Sequence, residues 1–194
     1  MNLKKFLICF IAVSQFVFPS FCLSDSATDI KVDKYALGQS LLNYYSINQI
    51  EKMMKTKLVY KNQKDYFQIS SNEKTEKYEE FMFWIKTNDK NYTIQSLSGS
   101  ISCNKEKDCE KILKGIHDDI KASIDIEFQQ SENIHSFDNK SKFKQYAHIF
   151  TDQSRIAIQA YIWNKETKKK QNWVNDVRVG LFLPEFAKWL INAN

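Results

Sequence analysis

The chain has 194 residues and a formal charge of +5, from 28 Lys and Arg against 23 Asp and Glu. The surplus falls to +3 once Lys4 and Lys5 are set aside with the leader described below, a mild excess without the concentrated basic face expected of a nucleic-acid binder. The chain is of single-domain length and can bury a real core. Only 4 Gly and 2 Pro are present, and no Gly-rich phosphate loop is among them.

Met1-Asn2-Leu3-Lys4-Lys5 is followed by the apolar run Phe6 to Phe18 and the exit Pro19-Ser20-Phe21-Cys22-Leu23-Ser24. A positive start, a short apolar stretch and a small-residue exit predict a secretory signal peptide over 1–24, cleaved after Ser24 in preference to Cys22. The apolar run is too short for a transmembrane helix, so no stable membrane span is expected after cleavage. Phe21 stands where a lipoprotein signal needs a small residue, which argues against a lipid anchor. The expected location is the periplasm. Removing Lys4 and Lys5 leaves 26 basic residues against 23 acidic ones, and removing Cys9 and Cys22 leaves the single pair Cys103 and Cys109.

Residues 25–194 are predicted to form one α+β domain, with antiparallel sheets and helices packed on them, in halves 35–122 and 123–194. Ser26 to Asp33 reads as a flexible leader. Ser46 with Gln49 makes a capping box, and Ile47, Ile50, Met53 and Met54 continue as a buried face, so a short helix is expected from Ile47 to Lys55. Leu37-Gly38-Gln39-Ser40-Leu41-Leu42, followed by Tyr44-Tyr45-Ser46 and Ile50, resembles the start of small exported proteins of marine alphaproteobacteria of the Pelagibacter type. In these a G-x-S-L segment precedes a capped helix, then strands, then a helix near a cysteine. The resemblance implies export and carries over no catalytic residue.

Lys64 to Ser70 and Phe81 to Thr87 alternate as strands do, separated by the polar tract Ser71 to Glu80, and Asn88-Asp89-Lys90-Asn91 reads as a turn. Tyr92 to Ser102 is the next strand. Gly99 within it points to a bulge or a close backbone approach, with a bend before Ile101. Cys109, Ile112, Leu113, Ile116 and Ile120 then recur at helical spacing, with Asn104 as the expected N-cap. Gly115 inside this helix costs about 1 kcal/mol against alanine. Cys103 and Cys109 bracket the turn between strand and helix. In an oxidising compartment they are expected to form a disulfide that stabilises by about 2 kcal/mol. Two cysteines without a histidine partner are a poor zinc set, and the spacing is not that of a redox motif. Glu106, Asp108 and Glu110 lack the order of a calcium loop and read as a solvated helix start.

In the second half, Ile124 to Gln129 is predicted as a strand and Gln130 to Ser141 as a polar loop. Phe143 to Phe150 and Arg155 to Trp163 form a hairpin around Thr151-Asp152-Gln153-Ser154. An even-length turn pairs residues whose numbers sum to 305. That register places Phe143, Ala147, Ile149, Ile156, Ile158, Ala160 and Ile162 on the core face. Lys144, Tyr146, His148, Phe150, Arg155, Gln159, Tyr161 and Trp163 fall on the other. From this second face Tyr146, His148, Arg155, Tyr161 and Trp163 are the candidate binding residues. The alternative is a face partly covered by a helix or loop. Lys165 to Asn172 reads as a loop whose Lys168-Lys169-Lys170 tip is solvated, or contacts anionic lipid or polysaccharide. Trp173 to Phe182 is the last strand, and Pro184 opens a final helix through Ile191. Gly99-Ser100-Ile101 precedes one helix and Gly180-Leu181-Phe182 the other. Both halves end alike, as an internal duplication would, or as antiparallel sheets covered by helices often do.

His117, His135 and His148 are scattered, and no serine lies in a nucleophile elbow. With both remaining cysteines bridged, no catalytic residue, metal or cofactor is expected. Asn91-Tyr92-Thr93 and Asn139-Lys140-Ser141 match glycosylation sequons, as chance allows in an Asn-rich chain. The leading expectation is a non-enzymatic periplasmic protein that binds another envelope protein or component through a sheet face. An envelope hydrolase assembling His148 or His117 with a carboxylate only in three dimensions, and a small-ligand carrier, are the alternatives.

Overall fold

The computed structural model describes residues 25–60, 63–135 and 138–193; the signal peptide expected over 1–24 lies outside them. The fold is α+β. Its body is one eight-stranded antiparallel sheet, built in two meanders that meet at its middle. The first comprises β3 (Leu58–Tyr60), β4 (Gln63–Ser71), β5 (Glu80–Lys86) and β6 (Ile94–Cys103). The second comprises β7 (Gln129–Ile134), β8 (Lys142–Ile149), β9 (Arg155–Ile162) and β10 (Asn175–Phe182). The strand order is β3-β4-β5-β6-β10-β9-β8-β7, so β6 and β10 pair at the centre and β3 and β7 are the edges.

Period-two alternation gives the sheet two unlike faces. Phe67, Ile69, Phe81, Phe83, Leu97, Val179, Leu181, Ile156 and Ile158 share the covered face and belong to the main core. Above them lie α1 (Ile47–Met54), α2 (Glu106–Ser123) and the N-terminal segment. The other face carries Ser96, Ser98, Ser100 and Ser102 on β6. One end of it is roofed where Phe186 and Trp189 of α4 (Pro184–Ala193) pack on Tyr66, Trp84 and Phe182.

The N-terminal segment is not a loose leader. Ser26 caps a 3-10 turn at Ala27–Asp29, and the buried Ala27 donates its N–H to Ser154 Oγ at 2.8 Å. β1 (Lys31–Val32) then pairs with β2 (Tyr35–Ala36), burying Val32 and Tyr35. Two apolar residues spaced among polar ones were enough to hold it, because the sheet beneath needed cover. In α1 Gln49 Oε1 accepts from the Ser46 N–H at 2.8 Å, as a capping box requires, but only Ile50 is buried outright and Ile47 is exposed.

The strand, disulfide and helix unit is present: Cys103 and Cys109 are bonded with their Cα atoms 5.3 Å apart. The α2 N-cap is Lys105 rather than Asn104, and its N–H is met by the Asp108 carboxylate at 3.2 Å. Pairing runs unbroken through Gly99 on both sides, and the irregularity in the β5–β6 pairing falls instead at Gln95, the extra β6 residue opposite the Trp84–Ile85 step. The glycine serves a close approach. A Cβ there would lie 2.6 Å from the Tyr78 ring, which packs on it.

Three expectations in the second half are corrected. The chain from Ile124 buries Ile126 but pairs only from Gln129, so the strand lies within the stretch read as a polar loop. An edge strand with both faces wet carries no apolar alternation to betray it. Residues 165–172 are not a loop: α3 (Lys165–Gln171) starts on the Asn164 side chain, which accepts from the Glu166 and Thr167 N–H groups, and ends on Asn172 at φ 56°. The β8–β9 pairs sum to 304, because the hairpin loop is the five residues from Phe150 to Ser154, closed by the Phe150 N–H on the Ser154 carbonyl at 2.9 Å. One residue of slip moves every β8 side chain to the opposite face.

Strand order is mirrored about the β6–β10 pair, but the helices are not. A two-fold exchanging neighbouring antiparallel strands runs perpendicular to the sheet and keeps faces unchanged. Here α2 covers one face and α4 the other, and Gly99 and Gly180 also fall on opposite faces.

Candidate functional site

On the open face the centre of the sheet is polar. Asp176 and Arg178 are two residues apart on β10 and point the same way, and Asp176 pairs with Tyr161 of β9. Arg178 Nε donates to Asp176 Oδ2, and its guanidinium lies 4.3 Å from the Tyr161 ring centroid. This adds cation–π attraction to the ion pair. Burial pushes the Asp176 carboxyl up, against the pull of Arg178. Burial also opposes the guanidinium charge, but Asp176 and the Tyr161 ring outweigh it and Arg178 stays protonated.

Aromatic rings continue from this pair toward α3. Tyr161 stacks on Trp163 with centroids 5.6 Å apart, and Trp163 meets Trp173 at 4.6 Å. His135 packs on Trp163 at 4.9 Å, and Phe143 on Tyr161 at 5.2 Å. Desolvation pushes His135 below the ordinary histidine range, so it packs here as a neutral ring at neutral pH. The left-handed Asn172 turns the chain at the end of α3, and Trp173 comes back across Trp163 with 38% of its surface exposed. Between this indole and β5–β6 lies a cleft of about 410 Å³, lined among others by Glu80, Ser100, Trp163, Trp173, Asp176 and Arg178. Glu79, also in the lining, is held by the Ser102 hydroxyl at 2.6 Å.

The five sequence-predicted residues do not converge. Trp163 lines this cleft, and Tyr161 stacks on Trp163 behind it. Arg155 shares the open face but stands at the far end of β9, opposite Phe182 and Ile149; its Nε is buried without a hydrogen-bond partner among the described residues. Tyr146 and His148 lie on the covered face, through the register slip. Tyr146 meets the His117 ring of α2 at 4.2 Å, and His148 Nδ1 is 2.7 Å from the Glu127 carbonyl. His117 Nδ1 in turn lies 2.9 Å from Asp118 Oδ1. Sequence reasoning missed Trp173, Asp176 and Arg178. The signal was there: Asp176 and Arg178 interrupt the otherwise apolar alternation of Val174 to Phe182, on one face of a strand.

A second concavity of about 830 Å³ opens on the covered side between α2 and the N-terminal arm, over Ile101, Ile116, Ile120 and Val179. Among the described residues no group of three or more His, Cys, Asp or Glu is placed to hold a metal, and no helix is long and apolar enough to cross a membrane. In comparisons with protein-family models, curated proteins and solved structures, the chain matches none of them.

Proposed function

We propose that this is a non-enzymatic, exported periplasmic binding protein that engages an envelope protein or component through the open face of its sheet. Export is supported by the leader-like start of the sequence, by its likeness to the Pelagibacter-type exported proteins, and by the paired cysteines. The observation that carries the binding reading is the Asp176–Arg178 pair, held against Tyr161 in the lining of a cleft. A buried ion pair is rarely more stabilising than apolar residues of the same volume, so the fold alone gives little reason for it. Placed where a ligand reaches it, it supplies orientation and specificity.

The test is capture from periplasmic extract by the immobilised protein. The double variant Trp173→Ala, Glu80→Gln is expected to recover at least about tenfold less of the bound component, a loss equal to about 1.4 kcal/mol, with its melting curve near that of the parent. Equal recovery by parent and variant rejects this face. A small-ligand carrier is the second reading, favoured by the apolar groove beside α2.

A further inference from the structure

We propose that the cleft between Trp173 and Glu80 takes an uncharged saccharide; this rests on the open-face reading above and gives its ligand a chemical class. The two walls are of different kinds. One is the exposed indole of Trp173 backed by Trp163 at 4.6 Å. The weakly positive C–H face of a pyranose ring lies favourably against the negative face of such a ring. The other wall and the floor offer acceptors and donors together: the Glu79 and Glu80 carboxylates, the Ser100 hydroxyl and the Arg178 guanidinium. A sugar hydroxyl donates one hydrogen bond and accepts others, so it needs both kinds within one ring's width. The cleft volume of about 410 Å³ falls in the range of small-ligand sites, about 300–1,000 Å³.

Charge and topology exclude the main competitors. Lys74 and Arg178 face Glu79, Glu80 and Asp176 in the lining, so the balance lies within one charge of neutral and offers no field for a polyanion. β6 and β10 are both paired on their two edges, so a peptide cannot add here as a strand. The polar groups are also set in advance: Arg178 is held by Asp176 and Tyr161, and Glu79 by Ser102. Ordering them on binding therefore costs little.

The experiment titrates the purified protein with chitotetraose, maltotetraose and cellotetraose, read by indole fluorescence and by calorimetry, with inorganic tripolyphosphate and a mixed-sequence peptide pool as comparators. At least one tetrasaccharide is expected to bind saturably with a Kd below about 1 mM, near −4 kcal/mol. Trp173→Ala should weaken that binding at least about tenfold, Trp173→Phe should restore most of it, and Lys168→Ala on α3 should leave it unchanged. Unaltered thermal melting shows that each variant is folded. Absence of binding by all three sugars overturns the proposal, as does equal binding by Trp173→Ala. If that happens while the open-face variant still loses capture from extract, the saccharide fails and the binding face stands. If capture is also unchanged, both fail.

Discussion

Along β6, consecutive side chains meet opposite surroundings. Leu97 is fully buried under the segments that cover the sheet, while Ser96, Ser98, Ser100 and Ser102 stand on the other side, which α4 covers at one end and Trp173 crosses beside Trp163. The neighbouring strands repeat the contrast. Phe81 and Phe83 alternate with Glu80 and Met82 on β5, and Val177 and Val179 with Asp176 and Arg178 on β10. Apolar packing is concentrated on one face and polar side chains on the other, and side-chain alternation keeps them apart without a second domain. The hydroxyl side chains on the central strand are small, and Ser96 and Ser100 are buried among their longer neighbours on that face.

The sharpest way to break this contrast is one substitution on each side. Phe83→Ala should cost about 3–5 kcal/mol, through lost transfer energy and the cavity left among Tyr35, Tyr45 and Ile69. That is a large part of the roughly 5–15 kcal/mol that holds a domain together. Ser98→Ala, one strand away on the open face, should stay within about 0.5 kcal/mol. Urea denaturation measures both. Similar costs would mean that the open face is structural too.

The two glycines of the strand and helix unit divide in sign. Gly99→Ala drives a Cβ to 2.6 Å from the Tyr78 ring on the covered face, and should destabilise by about 1–3 kcal/mol. Gly115→Ala meets nothing within 4 Å among the described residues and should stabilise by about 1 kcal/mol or slightly less. Opposite shifts in the denaturation midpoint are expected; a cost for Gly115→Ala would show that α2 uses that gap.

Where apolar alternation survived in the sequence, the structure could be read from it: β4, β5, β6, β9, β10 and the stripe of α2 all follow it. What escaped was held by polar groups or by turn geometry. β7 is wet on both faces, α3 hangs on an asparagine cap, and the β8–β9 register depended on whether Phe150 joined the strand or the loop. Gln153 takes φ 69° in that loop, a left-handed conformation that no residue type announced. Two of the five candidate binding residues were lost to that one choice. The cleft itself was hidden because Trp163 and Trp173, on either side of α3, meet only once that helix has turned the chain.

That turn depends on a polar cluster, and here the open face should be distinguishable from the covered one by pH. Asp138 Oδ2 accepts from the Ser141 and Thr167 hydroxyls, both at 2.5 Å, and from the Asn164 side-chain amide at 2.6 Å. It thereby ties the β7–β8 turn to the start of α3, with the Lys140–Glu166 ion pair at 2.8 Å beside it. Desolvation works to raise the Asp138 carboxyl, but these hydroxyls and the Ser141 and Lys140 N–H groups hold it well below the usual carboxylate range. A depressed native pKa contributes stability that is complete above the unfolded value, about 3.9, and is lost as pH falls from there through the native value. Asp138→Asn cannot ionise and lacks that contribution. Its melting temperature should lie below the parent's at pH 7, and the gap should close as pH drops below about 4. Phe83→Ala removes only apolar contacts, so its deficit should persist over the same range. A gap for Asp138→Asn that does not change with pH would mean that the residue serves as a neutral acceptor, and that its negative charge has no part in setting α3 and Trp173 against the sheet.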